Sequence, residues 1–335
     1  MLLNPQLVLA PPTLSDAQVA GLALRHFGVT GTLQRLTSER DLNIRITTPT
    51  ARYVLKLANS AEAADLTDFQ TQALLHLEGK SLPVPRVICT VLGETAAITP
   101  HGTLRLLTYL VGTPQHVTAK TAAQSRNLAR MAARLSGALQ TFTHPAAHHH
   151  LQWDIKNASH LRPLLAAIPD PDLRDLATQT LNRFDADIAP GLAQLRAQVV
   201  HNDLNPHNVL TDPANPDVIT GILDFGDMVH TPLICDVAIT ASYLIDPAHP
   251  LASLITFAAA YHEALPLTKT EVALLPDLIA TRMITTLAIT SARAAAFPQN
   301  APYILRNYAL ARDGLCALLA VNRTVLHSAL KTELP

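Results

Sequence analysis

The chain has 335 residues, 48% of them hydrophobic and 15% charged, with a formal net charge of -1 at pH 7 and an isoelectric point near 6.9. That balance speaks against nucleic acid or an anionic membrane as partner, and fits a soluble globular protein acting on a small neutral or zwitterionic molecule. Such a length suffices for one large core or two lobes of ordinary size. Cys89, Cys235 and Cys316 are odd in number, far apart and set in apolar runs, which predicts reduced core thiols in a cytoplasmic protein. The N-terminus carries no basic n-region and no uncharged apolar run reaches the ~20 residues of a bilayer span, so neither export nor insertion is expected.

In chain order, Thr13-Leu-Ser-Asp opens an amphipathic helix that runs to His26, with Ser15 as N-cap and Gly28 as stop. Three strand-like runs follow, Thr32 to Leu36, Asn43 to Thr47 and Tyr53 to Leu57, the last β-rich and carrying one lysine, Lys56. They read as an antiparallel nucleotide-binding sheet. The turn between the first two spans Thr37 to Leu42, in a stretch with no glycine between Gly31 and Gly79. From Glu62 to Leu77 the period is helical: Leu66, Phe69, Ala73, Leu74 and Leu77 share one stripe, and Glu62 and Gln70 fall on it. A polar residue on a buried stripe needs a partner. Arg86 to Cys89 and Thr103 to Leu110 complete a sheet of about five strands.

From Ala119 the chain turns to Ala/Leu-rich helix, which marks a second lobe. Ala122 to Phe142, Leu161 to Ile168 and Pro171 to Ile188 read as helices leading to V-V-H-N-D-L-N-P-H-N-V-L (Val199 to Leu210), a Pro-rich turn, and G-I-L-D-F-G-D-M (Gly221 to Met228). Asp203 sits in a loop after the short strand Val199-Val200, and Asn208 opens the strand Val209 to Thr211. After the turn Asp212 to Asp217, the run Val218 to Leu223 returns as a hairpin and delivers Asp224 beside Asn208. Asn208 and Asp224 then offer hard oxygen ligands suited to Mg²⁺ held jointly with nucleotide phosphates. Asp203 is placed to orient or deprotonate a substrate hydroxyl, and His201 reads as a side chain that braces the loop. Only eleven residues separate Asp224 from Asp236, too few for the activation segment that docks a polypeptide, so the acceptor is small. Helices from Leu251 to Ala264, Lys269 to Phe297 and Tyr303 to Leu319 close the chain.

H-N-D-L-N-P-H-N-V-L followed by D-F-G-D-M resembles the catalytic segments of the aminoglycoside phosphotransferase-like kinases, and in wording is most similar to their hydroxylysine kinase-like branch. Trp153-Asp154-Ile155 resembles a packing turn of the same branch. The resemblance implies an α+β, two-lobed protein-kinase-like fold, with a nucleotide-binding lobe and hinge over residues 1–112 and a helical lobe over 113–335. It implies transfer of the γ-phosphoryl of ATP or GTP to a hydroxyl of a small amine or amino acid, best matched by hydroxylysine. Homoserine, ethanolamine or an aminoglycoside as acceptor, or a nucleotide-binding pseudokinase, are the alternatives. In the resembled families Ser38 and backbone N–H groups of the glycine-free turn would meet the phosphates, Lys56 would reach them as a point charge, and backbone groups of Thr108 and Leu110 would read the purine edge. Asp236 would brace the catalytic loop. Gln70 falls, by register with Leu82 to Pro85, where related kinases place the glutamate that pairs with the strand lysine. Either Gln70 or Glu62 then partners Lys56, and the register favours Gln70. A hydroxylysine-like acceptor needs a carboxylate for its ammonium, for which Asp227 is the first candidate, and a guanidinium for its carboxylate. Arg282 and Arg293, eleven apart on one apolar helix, are the candidates for the latter.

Overall fold

The computed structural model describes residues 12–38, 41–59 and 62–334. Glu39 and Arg40 of the glycine-free turn, and the N-terminal stretch on which the missing n-region was read, lie outside the described residues.

Helix α1 (Asp16–Phe27) begins at a capping box in which Ser15 and Gln18 satisfy each other's backbone N–H, and it stops at Gly28 with φ 66°. Strands β1 (Thr32–Leu36), β2 (Leu42–Thr47) and β3 (Arg52–Leu57) follow as antiparallel neighbours. In β2 the alternation is regular: Leu42, Ile44 and Ile46 are buried and the residues between them are half-buried. These three pack with Val19, Ala23 and Phe27 of α1 and with Leu55 and Leu57 into a small core. Helix α2 (Ala64–Leu77), β4 (Val87–Ile88), β5 (Ala97–Thr99) and β6 (Gly102–Thr108) complete a six-stranded sheet of order β1-β2-β3-β6-β4, with β5 beside β6. Its register sets Lys56 opposite Arg105.

The inner face of α2 belongs to a different core. Phe69, Ala73, Leu74 and Leu77 join the large cluster of the helical part, and Phe69 stacks on Phe142 at 5.9 Å. The helix thereby ties the sheet to the rest of the chain. Past the end of β6 the chain crosses at Gly112, where a Cβ would come within 2.8 Å of Leu210 Cβ and Thr220 Oγ1. Only glycine permits so close a crossing.

Beyond it, β7 (Thr113–Pro114) is followed by α3 (Ala122–Leu139), a 3-10 run Ile155–Ala167, α4 (Pro171–Arg183) and the short α5 (Ala189–Leu192). Strands β8 (Ala197–Val200), β9 (Val209–Thr211), β10 (Ile219–Ile222) and β11 (Val229–Pro232) come next. Here β10, β9 and β7 form one small sheet and β11 pairs with β8 in another. Helices α6 (Leu233–Ser242), α7 (Pro250–Ala264), α8 (Lys269–Ala296), α9 (Ala301–Ile304), α10 (Tyr308–Ala320) and α11 (Arg323–Glu333) finish the chain. Helix α8, opened by a Thr268–Glu271 capping box, is the central beam. It is long and apolar enough to cross a membrane by length and composition, but 89% of its apolar window is buried inside the protein.

Several expectations change. Cys235 is buried, whereas Cys89 and Cys316 are exposed: Cys89 follows a two-residue strand and Cys316 lies on the outward face of α10, so apolar neighbours in sequence point elsewhere. The segment around Leu161 to Ile168 is a 3-10 run containing Pro163, which has no N–H to give a regular helix. The helix from Pro171 is regular to Arg183 and then widens into a π turn, Phe184–Ile188. The helix expected from Tyr303 is broken by a turn at 305–307, and β11 and α11 have no counterpart among the sequence expectations.

Candidate active site

The loop between β8 and β9 is held from two sides and by a bond within itself. Asn202 adopts φ 64°, a left-handed conformation that asparagine tolerates, and its N–H donates to Asp236 Oδ1 at 2.7 Å. Burial pushes the Asp236 carboxyl up to about 6, against the opposing pull of that N–H and of Arg282. His201, fully buried, accepts the Asp203 N–H at Nδ1 (3.3 Å) and donates from Nε2 to Leu223 O (3.0 Å). The two bonds fix one neutral tautomer. Burial drives its pKa down to about 4, so the ring carries no charge at neutral pH.

Within this frame Asp203 presents a fixed carboxylate. Its Oδ2 accepts from Asn208 Nδ2 at 2.7 Å and Asn205 Nδ2 at 2.9 Å. Its Oδ1 faces Arg282 Nη2 at 3.3 Å. Enclosure and the neighbouring Asp227 charge push the Asp203 carboxyl up to about 7, and Arg282 opposes them.

The hairpin brings the second carboxylate alongside. Leu223 N–H donates to Asn208 O at 2.8 Å, and the next residue, Asp224, takes φ 58°, which turns its carboxylate out with the side chain 57% exposed. From the sheet, Lys56 Nζ reaches to 3.9 Å from Asp224 Oδ1 and 3.8 Å from Asp41 Oδ2. Ser38 Oγ accepts the Asp41 N–H at 3.3 Å. Ser38, Lys56, Gln70, Asp203, Asp224, Asp227, Arg282 and Arg293 all line one cleft between sheet and helices. Asn208, His201 and Asp236 stand behind it, and Thr108 and Leu110 lie outside its lining. Thr108 donates its N–H to Arg86 O at 2.9 Å, whereas the Leu110 N–H has no backbone acceptor among the described residues.

The expected Lys56–Gln70 contact is not formed. Gln70 Oε1 accepts from Arg105 Nη2 at 2.8 Å, and Gln70 Nε2 donates to Glu62 Oε1 at 3.2 Å. The reason is Arg105, set opposite Lys56 in the sheet and only 2% exposed. A buried guanidinium must satisfy its N–H groups, and this one takes the amide oxygen, Thr67 O and Thr71 Oγ1. Lys56 is left to Asp41 and Asp224. The sequence carries one signal for this, an arginine interrupting the apolar run of β6.

Arg282 departs from its expected part too. Nη1 donates to Trp153 O at 3.1 Å, and Nη2 to Tyr243 Oη at 3.0 Å as well as to Asp203. Its guanidinium lies 5.2 Å from the Trp153 ring centre and 5.8 Å from that of Tyr243. Both terminal nitrogens of the fork are thus engaged by protein groups, although the side chain still lines the cleft. Arg293 lines the cleft eleven residues on, with Thr286 and Thr290 between them, and Tyr303 and Arg306 line it too. Asp41, Asn205 and Tyr243 are cleft residues that the sequence did not single out, and Trp153, expected only as part of a packing turn, lines the cleft as well; Asn205 and Asp41 neighbour motif residues, whereas Trp153 and Tyr243 arrive through tertiary packing.

A carboxylate with one oxygen held by amides, a second carboxylate beside a lysine, and a cleft between sheet and helices are the parts of a phosphoryl-transfer site. The fold is that of a small-molecule kinase. The chain belongs to the phosphotransferase enzyme family, whose sequence pattern matches residues 32–274. It is 27% identical to hydroxylysine kinase of Mus musculus over 326 residues, covering 88% of this chain and 87% of that protein. Against hydroxylysine kinase of Bos taurus the identity is 27% over 327 residues, covering 89% and 87%. Among solved structures, an amicoumacin kinase in complex with AMP-PNP, Ca²⁺ and its ligand superimposes with TM-score 0.65 at 15% identity, over 90% of this chain and 94% of that one. A microcompartment-associated aminopropanol kinase does so with TM-score 0.62 at 18% identity, over 90% and 99%.

Proposed function

We propose that the chain transfers the γ-phosphoryl of ATP or GTP to the hydroxyl of a small amino acid or amine, with hydroxylysine the first candidate, as the names of its curated relatives suggest. The observation that carries the reading is the meeting of Asp203, Asp224 and Lys56 at one cleft from two separate parts of the fold, with Asn208 behind it holding Asp203 Oδ2. The acceptor oxygen bonds to the γ-phosphorus as the bond to the β–γ bridging oxygen breaks; the hydroxyl proton passes to Asp203, and the nucleoside diphosphate leaves. Lys56 and Ser38 bind the nucleotide phosphates and the backbone of Leu110 meets the purine edge, whereas the Thr108 N–H expected there is taken by Arg86 O. His201 and Asp236 brace the loop. Asp227 takes the acceptor ammonium and Arg293 its carboxylate, the part left open by Arg282.

Asn208 and Asp224 suit a divalent cation, Mg²⁺ in this reading. The Asn208 amide nitrogen is committed to Asp203 Oδ2 and, at 3.0 Å, to Asp203 O, which leaves its carbonyl oxygen to act as ligand beside the outward-turned Asp224 carboxylate. When bound, the cation neutralises phosphate charge. The lobes divide at residue 112, and the enzyme works in the cytoplasm. A nucleoside-diphosphate release screen over hydroxylysine, homoserine, ethanolamine and an aminoglycoside, with ATP and with GTP, tests the proposal. Saturable release with hydroxylysine above the others supports it, release with another acceptor moves the assignment to that substrate, and no acceptor-dependent release with any of them contradicts it.

A further inference from the structure

The Asp203–Arg282 contact is unlike the other contacts of the cleft. Arg282 is 2% exposed, and it projects from the middle of α8, the central beam. A guanidinium buried this far is tolerable only when paired and hydrogen-bonded, since removing the charge from water costs several kcal/mol. Its partners come from three separate places: the Trp153 carbonyl ahead of the 3-10 run, the Tyr243 hydroxyl at the end of α6, and Asp203 of the catalytic loop. Two aromatic rings add cation–π contact. A cation anchored from so many directions has little freedom to swing toward a ligand.

We infer that Arg282 is a positioning residue for phosphoryl transfer, which clamps Asp203 Oδ1 while Asn205 and Asn208 clamp Oδ2, and so selects the oxygen that meets the acceptor hydroxyl. The inference rests on the proposed role of Asp203. Each carboxylate oxygen has two lone-pair sites. Oδ2 fills both with amide donors, at 2.7 and 2.9 Å, whereas Oδ1 accepts only from Arg282 among the described residues. The second site of Oδ1 therefore remains for the hydroxyl. A carboxylate held at both oxygens cannot rotate about its Cβ–Cγ bond, and a misplacement of about 1 Å in such a group costs on the order of 10²-fold in rate.

A double-variant cycle tests this. In Arg282→Met, kcat should fall by about 10- to 100-fold, with KM for nucleotide and for acceptor each within about threefold of wild type. In the Asp203→Asn background the same substitution should lower kcat by less than about twofold further, because the group it positions is already disabled. Losses that multiply in the double variant overturn the inference alone, as does a tenfold rise in acceptor KM with kcat retained, which would make Arg282 a substrate receptor. Asp203→Asn turnover within about threefold of wild type overturns the role of Asp203 and the inference with it. Should Arg282→Met not fold, Tyr243→Phe removes one anchor and leaves the ion pair. It should lower kcat by about threefold to tenfold, an effect that disappears in the Asp203→Asn background and whose persistence there overturns the inference.

Discussion

Gln70 and Arg105 are joined across the helix–sheet boundary, Oε1 to Nη2 at 2.8 Å, in the place where kinase-like folds join helix and sheet through the strand lysine. Arg105 holds α2 through three acceptors, and Lys56, its neighbour in the register, faces the cleft instead. The mechanical link and the cleft-facing charge are thus on different residues.

It follows that the two can be separated by mutation. Gln70→Leu leaves a buried guanidinium donor without its acceptor, and should lower stability by about 2 to 3 kcal/mol while nucleotide affinity stays within about threefold. Lys56→Met should do the reverse, lowering nucleotide affinity more than about tenfold with a small change in stability. Denaturant melts and nucleotide titrations of both variants decide it. A tenfold loss of nucleotide affinity in Gln70→Leu, with stability intact, would restore Gln70 as the partner of Lys56.

Asp224 offers a second separation. It is exposed at the cleft, and in the proposed role of cation ligand it would contribute to nucleotide binding only when the divalent ion is present. Asp224→Ala should therefore abolish the Mg²⁺-dependent part of nucleotide affinity and leave the metal-free part nearly unchanged. Calorimetry giving equal Mg-nucleotide affinities for variant and wild type speaks against the assignment.

His201 makes the loop acid-sensitive. Its folded pKa of about 4 lies below the ordinary 6.5, so below pH 6.5 the unfolded chain takes up a proton that the folded chain refuses. The stability it contributes is complete above pH 6.5 and is lost as pH falls toward 4, with a limit on the order of 3 kcal/mol. His201→Gln should flatten the change in unfolding free energy between pH 7.5 and pH 5 relative to wild type, as read from urea titrations. Equal pH dependence in the two proteins contradicts a neutral buried imidazole.

Where placement follows from local spacing, the sequence was sufficient. Asp203, Asn208 and Asp224 meet because a hairpin of fixed length returns beside its own first strand, and Ser15 with Gly28 bounds α1 through purely local capping. The partners of Lys56 and Arg282 were not legible. Gln70 lies on the predicted stripe, but its partner depends on which residue of β6 stands opposite Lys56, a matter of strand register. Arg282 meets Trp153 and Tyr243 across 129 and 39 residues of chain, and helical period says only that it shares a face with Arg293. The break at 305–307 that lets Arg306 and Asn307 line the cleft is likewise a tertiary outcome.

The proposed part of Asp203 in phosphoryl transfer to a hydroxyl is tested by single-turnover transfer to hydroxylysine in wild type and Asp203→Asn, each with its nucleotide affinity determined in parallel. Transfer should be slower by about 10² to 10⁴ in the variant, with nucleotide affinity nearly unchanged. Transfer within about threefold of wild type, or a loss explained entirely by weaker nucleotide binding, would contradict it.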